Sequence, residues 1–198
     1  MSRLRVPARI AIGAALAALA GLATAGCAGG QIAANVPQSS GQSFVSRSYE
    51  STFYQVGHRS AAPAVSGTTI TGQRLSLDSY KGKTVVLNFW GSWCPPCRSE
   101  APTLAALSAK YSHDGVSFLG VDVEDTPVNA GAFEQGFGIT YPSLNDPGQA
   151  VAQVVSSAIP ITSTPTTLVI DPAGHVAGAI FGTATYSVLN EMISKVAA

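Results

Sequence analysis

Charge is what this chain has least of. Only 11% of its 198 residues are Asp, Glu, Lys or Arg, against roughly 25% in an average soluble protein. The 11 bases match the 11 acids, for a formal net charge of zero. Without clustered Lys and Arg there is nothing to neutralise a phosphate backbone, which excludes nucleic acid as a partner. Three cysteines are too few for a disulfide-stapled fold or a four-cysteine zinc site. Apolar runs of membrane-spanning length are missing too, apart from one near the N-terminus, which excludes a multispanning protein. A hydrophobic share of 46% with balanced charge excludes a wholly disordered chain. What remains is one globular domain with an apolar appendage.

The appendage is an address. Arg3, Arg5 and Arg9 precede an uncharged stretch, residues 10–25, which ends in Thr24-Ala25-Gly26-Cys27. This charged, apolar, small-residue order is that of a secretory signal. Cys27 directly after Ala-Gly resembles the bacterial lipoprotein signal, in which the cysteine is lipidated and becomes the first mature residue. Thr24 departs from that motif, which prefers Leu. An uncleaved anchor and an ordinary signal peptide are the alternatives, and all three place the domain outside the cytoplasm. Several acyl groups on Cys27 would hold the protein to the membrane, which a single one does only marginally. The expected division is a signal peptide at 1–26, the lipidated cysteine and a linker at 27–62, and a domain at 63–198. The linker is rich in Gly, Ser, Gln and Ala and as a flexible chain would reach about 30 Å. Phe44, Tyr49, Phe53 and Tyr54 crowd its end, which suggests packing against the domain or a place at the lipid interface.

From Pro63 on, strands alternate with helices. Residues 68–77 alternate around Thr71-Gly72-Gln73, a hairpin signal. The apolar run 85–90 reads as a buried strand. Leu104, Ala105, Leu107 and Tyr111 have helical spacing within 94–111. A strand at 116–123, helices at 127–137 and 149–156, strands at 167–170 and 176–181 joined by Asp171-Pro172-Ala173-Gly174, and a helix at 186–196 complete the series. The pattern predicts an α/β fold, a mixed central sheet flanked by helices, with an N-terminal β-hairpin extension.

The chemistry lies in Trp93-Cys94-Pro95-Pro96-Cys97. A CxxC pair can close a disulfide, hold a metal or attach haem. Zinc needs further ligands, and His58, His113 and His175 show no paired spacing; covalent haem needs a His where Arg98 stands. A purely structural bridge over so short a loop adds little stability. The pair follows a buried strand and opens a helix, where unpaired N–H groups and the dipole stabilise a thiolate. Pro95 and Pro96 remove two of those donors, so a comparatively reducing pair is expected. No metal and no cofactor beyond the Cys94–Cys97 disulfide is expected.

The segment VVLNFWGSWCPPCRSEAP (85–102) resembles the signature of the membrane-anchored thioredoxin-like proteins of the TlpA and ResA kind, and STPTTLVID (163–171) is similar to that family's second landmark. The resemblance spans 63–198 and implies a thioredoxin fold and thiol–disulfide exchange. Chemistry and resemblance together make Cys94 the exposed nucleophile and Cys97, one turn later and more buried, the resolving thiol. Glu100 corresponds to the family's acidic residue near the pair and could relay a proton. Pro165 corresponds to the cis-proline facing the cysteines, and Thr164 would offer its backbone to an extended substrate. Trp93, Pro95 and Pro96 form contact surface, while Trp90 belongs to the core. Asn88 stands where ordinary thioredoxins carry a buried Asp, which leaves Glu100 as the relay. Glu124 and Asp125 read as solvated loop charges, and the three histidines as surface residues.

The resemblance implies an extracytoplasmic, lipid-anchored monomer on the cytoplasmic membrane (secreted, if Cys27 is not lipidated) that reduces protein disulfides. Its implied partners are apocytochrome c, through the haem-binding cysteines, and a membrane thiol carrier as electron donor. Disulfide formation in secreted proteins is the same chemistry in reverse. Peroxide reduction is disfavoured, because Leu87 and Gly91 stand where peroxiredoxins carry Pro and Thr or Ser. A binding module with incidental cysteines is the non-enzymatic alternative.

Overall fold

The computed structural model describes residues 44–46 and 49–197. The expected signal peptide at 1–26, Cys27 and about half of the expected linker lie outside the described residues.

The strands are β1 (Phe44–Ser46), β2 (Tyr49–Phe53), β3 (Ser66–Thr68), β4 (Arg74–Ser76), β5 (Thr84–Trp90), β6 (Val116–Val123), β7 (Ser143–Asp146), β8 (Thr166–Ile170) and β9 (Val176–Gly182). The helices are α1 (Pro95–Lys110), α2 (Pro127–Phe137), α3 (Ala150–Ser156) and α4 (Tyr186–Val196). Seven strands form one sheet in the order β1-β2-β9-β8-β5-β6-β7. β5–β6 and β6–β7 are parallel and the other pairs antiparallel, so the sheet is mixed, as expected. β3 and β4 form the expected hairpin.

All of β5 is buried, because both faces of the sheet are covered. Val85, Leu87 and Phe89 pack with Leu119, Val121, Leu144 and α3 on one side. Val86 packs on the other with Leu104 and Leu107 of α1 and Leu189 and Ile193 of α4. Trp90 continues that second face toward Cys94, Cys97 and Phe133 of α2, on which its ring stacks at 4.5 Å between centroids.

Three strands, β1, β2 and β7, depart from the sequence reading. β2 pairs with β9 along its whole length, so the sheet begins ahead of Pro63, inside the expected linker. β7 has one apolar residue in its Ser-Leu-Asn-Asp sequence, too few for an alternating pattern to register, and is placed by its pairing to β6.

Candidate active site

The chain leaves β5 at Trp90, turns through Gly91-Ser92-Trp93 and enters α1 with Cys94 as its N-cap. Cys94 and Cys97 are joined by a disulfide, with Cα atoms 5.3 Å apart. Cys94 Sγ accepts the Cys97 N–H at 3.2 Å. Pro95 and Pro96 occupy the first helical positions and have no N–H to offer. Both prolines are exposed, as is Trp93, at 50%.

One expectation is corrected. Cys94 is not the exposed member of the pair: Cys94 and Cys97 are each 1% exposed. Cys94 packs in one cluster with Trp90, Cys97 and Phe133, and the Thr164 carbonyl oxygen lies 3.7 Å from its sulfur. The Thr164–Pro165 peptide bond is cis, as the resemblance implies. The half-buried Thr164 and buried Pro165 thus face the cysteines from the loop before β8.

The Trp93 indole folds back over Gly91 and donates from Nε1 to the Val123 carbonyl at 3.2 Å. A Cβ on Gly91 would stand 2.5 Å from that Nε1, so the loop needs glycine there. Beside Trp93 opens a cavity of about 380 Å³, lined by Phe89, Val123, Gln153, Ile161 and Thr164 among others.

Glu100 is no solvated helix-end charge. It is 1% exposed, accepting from Asn88 Nδ2 at 2.8 Å and from the Ala184 N–H at 2.7 Å. Burial pushes its carboxyl up to about 7, the bonds from Ala184 and Asn88 offsetting part of the rise. It therefore exchanges protons near neutrality. It lies one turn beyond Cys97, and the two are buried on the same side of α1. Asn88 also donates to Thr167 Oγ1 at 3.0 Å.

Asp125 overturns the reading of a solvated acidic pair. It is 8% exposed. Oδ2 accepts the Ser92 N–H at 2.8 Å and Oδ1 the Thr126 N–H at 2.7 Å. These bonds outweigh its burial and hold the carboxyl below the usual range. Asp125 ties the cysteine loop to the start of α2. Glu124 is exposed, with φ at 51°. His58 and His113 are exposed, and half-buried His175 lies 3.7 Å from Asp171.

Comparison with known proteins bears on the family and the fold. Residues 58–179 match the model of the AhpC/TSA family. The thiol-disulfide oxidoreductase ResA of Bacillus thuringiensis (strain Al Hakam) is 33% identical over 135 residues, 68% of this chain and 76% of its own. A solved DsbF homologue from Corynebacterium diphtheriae superposes with a TM-score of 0.68 at 35% identity, covering 73% of this chain and 92% of its own. A secreted thiol-disulfide isomerase from Corynebacterium glutamicum superposes with a TM-score of 0.70 at 27% identity, over 74% and 91%. With a cysteine pair capping a helix and a cis-proline opposite it, the chain belongs to the AhpC/TSA family and, within it, to the ResA-type thiol-disulfide oxidoreductases of thioredoxin fold.

Proposed function

We propose that the protein acts outside the cytoplasm, chiefly as a reductant of protein disulfides, with the haem-binding cysteines of apocytochrome c among its substrates. Lipid on Cys27 tethers it to the membrane, and a membrane thiol carrier returns its electrons. The observation that carries the direction is the poverty of donors at Cys94. Its sulfur accepts one backbone N–H, from Cys97, while Pro95 and Pro96 supply none. A thiolate so weakly stabilised makes the reduced pair the less favoured form, hence a good electron donor. Support for the location comes from the relatives: one solved neighbour is described as secreted, and the N-terminal segment has the order of an export signal.

In the reducing direction, the Cys94 thiolate attacks one sulfur of a substrate disulfide and expels the other as a thiolate. Cys97 gives its proton to the Glu100 carboxylate and attacks Cys94 Sγ. The Cys94–Cys97 bond forms, and the second substrate sulfur leaves as a thiolate. The substrate has gained two electrons, and its thiolates take two protons from solvent. The Thr164–Pro165 backbone and Trp93 flank the mouth where the substrate segment lies.

Cys97→Ala removes the resolving thiol. It is expected to accumulate mixed disulfides through Cys94, with apocytochrome c among the trapped partners. A trap holding only proteins without a haem-binding cysteine pair contradicts the substrate assignment, and no covalent partner at all contradicts the enzymatic reading.

A further inference from the structure

Behind the cysteines lies a row of polar groups that thiol exchange as described does not use. Among the described residues, the buried side-chain atoms without a protein hydrogen-bond partner are Asn88 Oδ1, Trp90 Nε1, both Asp122 oxygens, Glu134 Oε1, Ser143 Oγ and Asn145 Oδ1. Leaving one such atom unsatisfied costs about 1–3 kcal/mol, so their collection in one place calls for a reason.

Strand register puts them together. Asn88 pairs with Gly120, and Gly120 with Ser143; one step on, Trp90 pairs with Asp122, and Asp122 with Asn145. The alternate residues Phe89, Val121 and Leu144 face the α3 side. The orphaned groups therefore share the opposite face, where Phe133 and Ala130 of α2 pack on Trp90. Glu134 reaches in from α2. The absence of a side chain at Gly120 lets two of these groups close over it: a Cβ there would collide with Ser143 Oγ and stand 2.7 Å from Trp90 Nε1. The inner end is Glu100, which Asn88 holds through its other side-chain atom, Nδ2.

The charges around the patch favour bound protons. Burial, then Asp125, Glu134 and Asp146, push Asp122 up to about 8. Burial raises Glu134, and the nearby Ser143 hydroxyl offsets part of the rise. Tyr141 stays protonated, raised by burial and then by Glu100 and Glu134. Arg98 of α1 lies over the rings of Phe133 and Phe137, 5.8 and 5.3 Å from their centroids.

We propose that this patch is a proton path: ordered waters, held by Asn88 Oδ1 and Ser143 Oγ, join Glu100 to Asp122 and Glu134, which pass the proton taken from Cys97 on to solvent. Internal waters ordinarily satisfy such groups. The path is needed because Glu100 is itself sealed from solvent and must be emptied before the next turnover. On reduction of the pair the same path runs inward. Asp122 and Glu134 act through Glu100 and do not touch the reacting sulfurs. The inference rests on Glu100 being the group that takes the Cys97 proton.

The test is the oxidation of the reduced protein by glutathione disulfide across the neutral pH range, under single-turnover conditions and, with dithiothreitol re-reducing the pair, under multiple-turnover conditions. Glu100→Gln tests the underlying reading and is expected to slow ring closure in the first turnover. Asp122→Asn and Glu134→Gln are expected to leave that closure intact and to slow successive turnovers about tenfold, less than the roughly hundredfold effect of a direct proton-transfer group. They are also expected to enlarge the solvent deuterium isotope effect and to leave the equilibrium potential of the pair unchanged. If only Glu100→Gln has an effect, the path is overturned and the Glu100 role stands. If Glu100→Gln has no effect, both fall. A change in potential in place of the turnover effect also overturns the path, because the acids would then act on the equilibrium. Should Asp122→Asn fail to fold, Ser143→Ala removes a single hydroxyl from the path and carries the same expectations.

Discussion

A carboxyl group sealed behind a cysteine pair carries a stability signature as well as a chemical one. Glu100 is raised from 4.5 to about 7 and Asp122 from 3.8 to about 8. For acids raised on folding, the protonated native form is the favoured one. Their contribution is complete below the unfolded values and is lost as pH rises through the folded ones. Chemical denaturation of the oxidised protein is therefore expected to show stability falling from acid to mildly alkaline pH, by about 3 kcal/mol for Glu100 and about 6 kcal/mol for Asp122. Glu100→Gln and Asp122→Asn should each flatten that profile; an unchanged slope contradicts the assignment. Asp125 behaves oppositely, since its carboxylate is already favoured at neutral pH by the two N–H groups it accepts. Asp125→Ala is expected to cost about 1–3 kcal/mol by leaving those donors without a partner, read as a lower denaturation midpoint. Cys94, Cys97 and Pro165 were legible in the sequence because each lies in a short local motif. Asp125 was not, because its partner Ser92 lies 33 residues away and is a backbone group.

At the scale of elements, the turn between β5 and α1 does most to shape the mouth of the site. It is held by the Trp93–Val123 bond, the Asp125–Ser92 bond and the absence of a side chain at Gly91. Gly91→Ala pushes the indole outward, because a methyl group and the ring cannot share that space. The expected result is a change in Trp93 fluorescence, slower thiol exchange and a loss of about 1–3 kcal/mol, the usual range for overpacking; unchanged emission would show that the ring does not lie over Gly91. The long elements were readable in advance: α2 and α4 fall where the sequence reading put them, and the nearly continuous apolar run of β5 marked it as an interior strand. β1, β2 and β7 escaped notice because they are specified by the partners they pair with, β1 and β7 forming the two edges of the sheet. The burial of Cys94 escaped for a similar reason, since the segment that covers it, Thr164–Pro165, arrives from the far end of the sequence.

Across the whole molecule, sparse charge has a consequence for partner choice. Removing residues 1–26 takes away three Arg and no acid, turning the formal net charge from zero to −3. The fraction of charged residues is low in the domain itself, which leaves little long-range field to steer a partner. In the proposed function, recognition then rests on contact at the mouth, through Trp93, the cavity beside it and the Thr164–Pro165 backbone, with the proposed membrane tether raising local concentration. The proposed direction of electron flow rests on the same mouth. The redox equilibrium of Cys94 and Cys97 against glutathione decides it. A potential near the thioredoxin value of about −270 mV is expected of a pair whose thiolate has one backbone donor, and one near −120 mV, the range of strong oxidants, would contradict the assignment as a reductant.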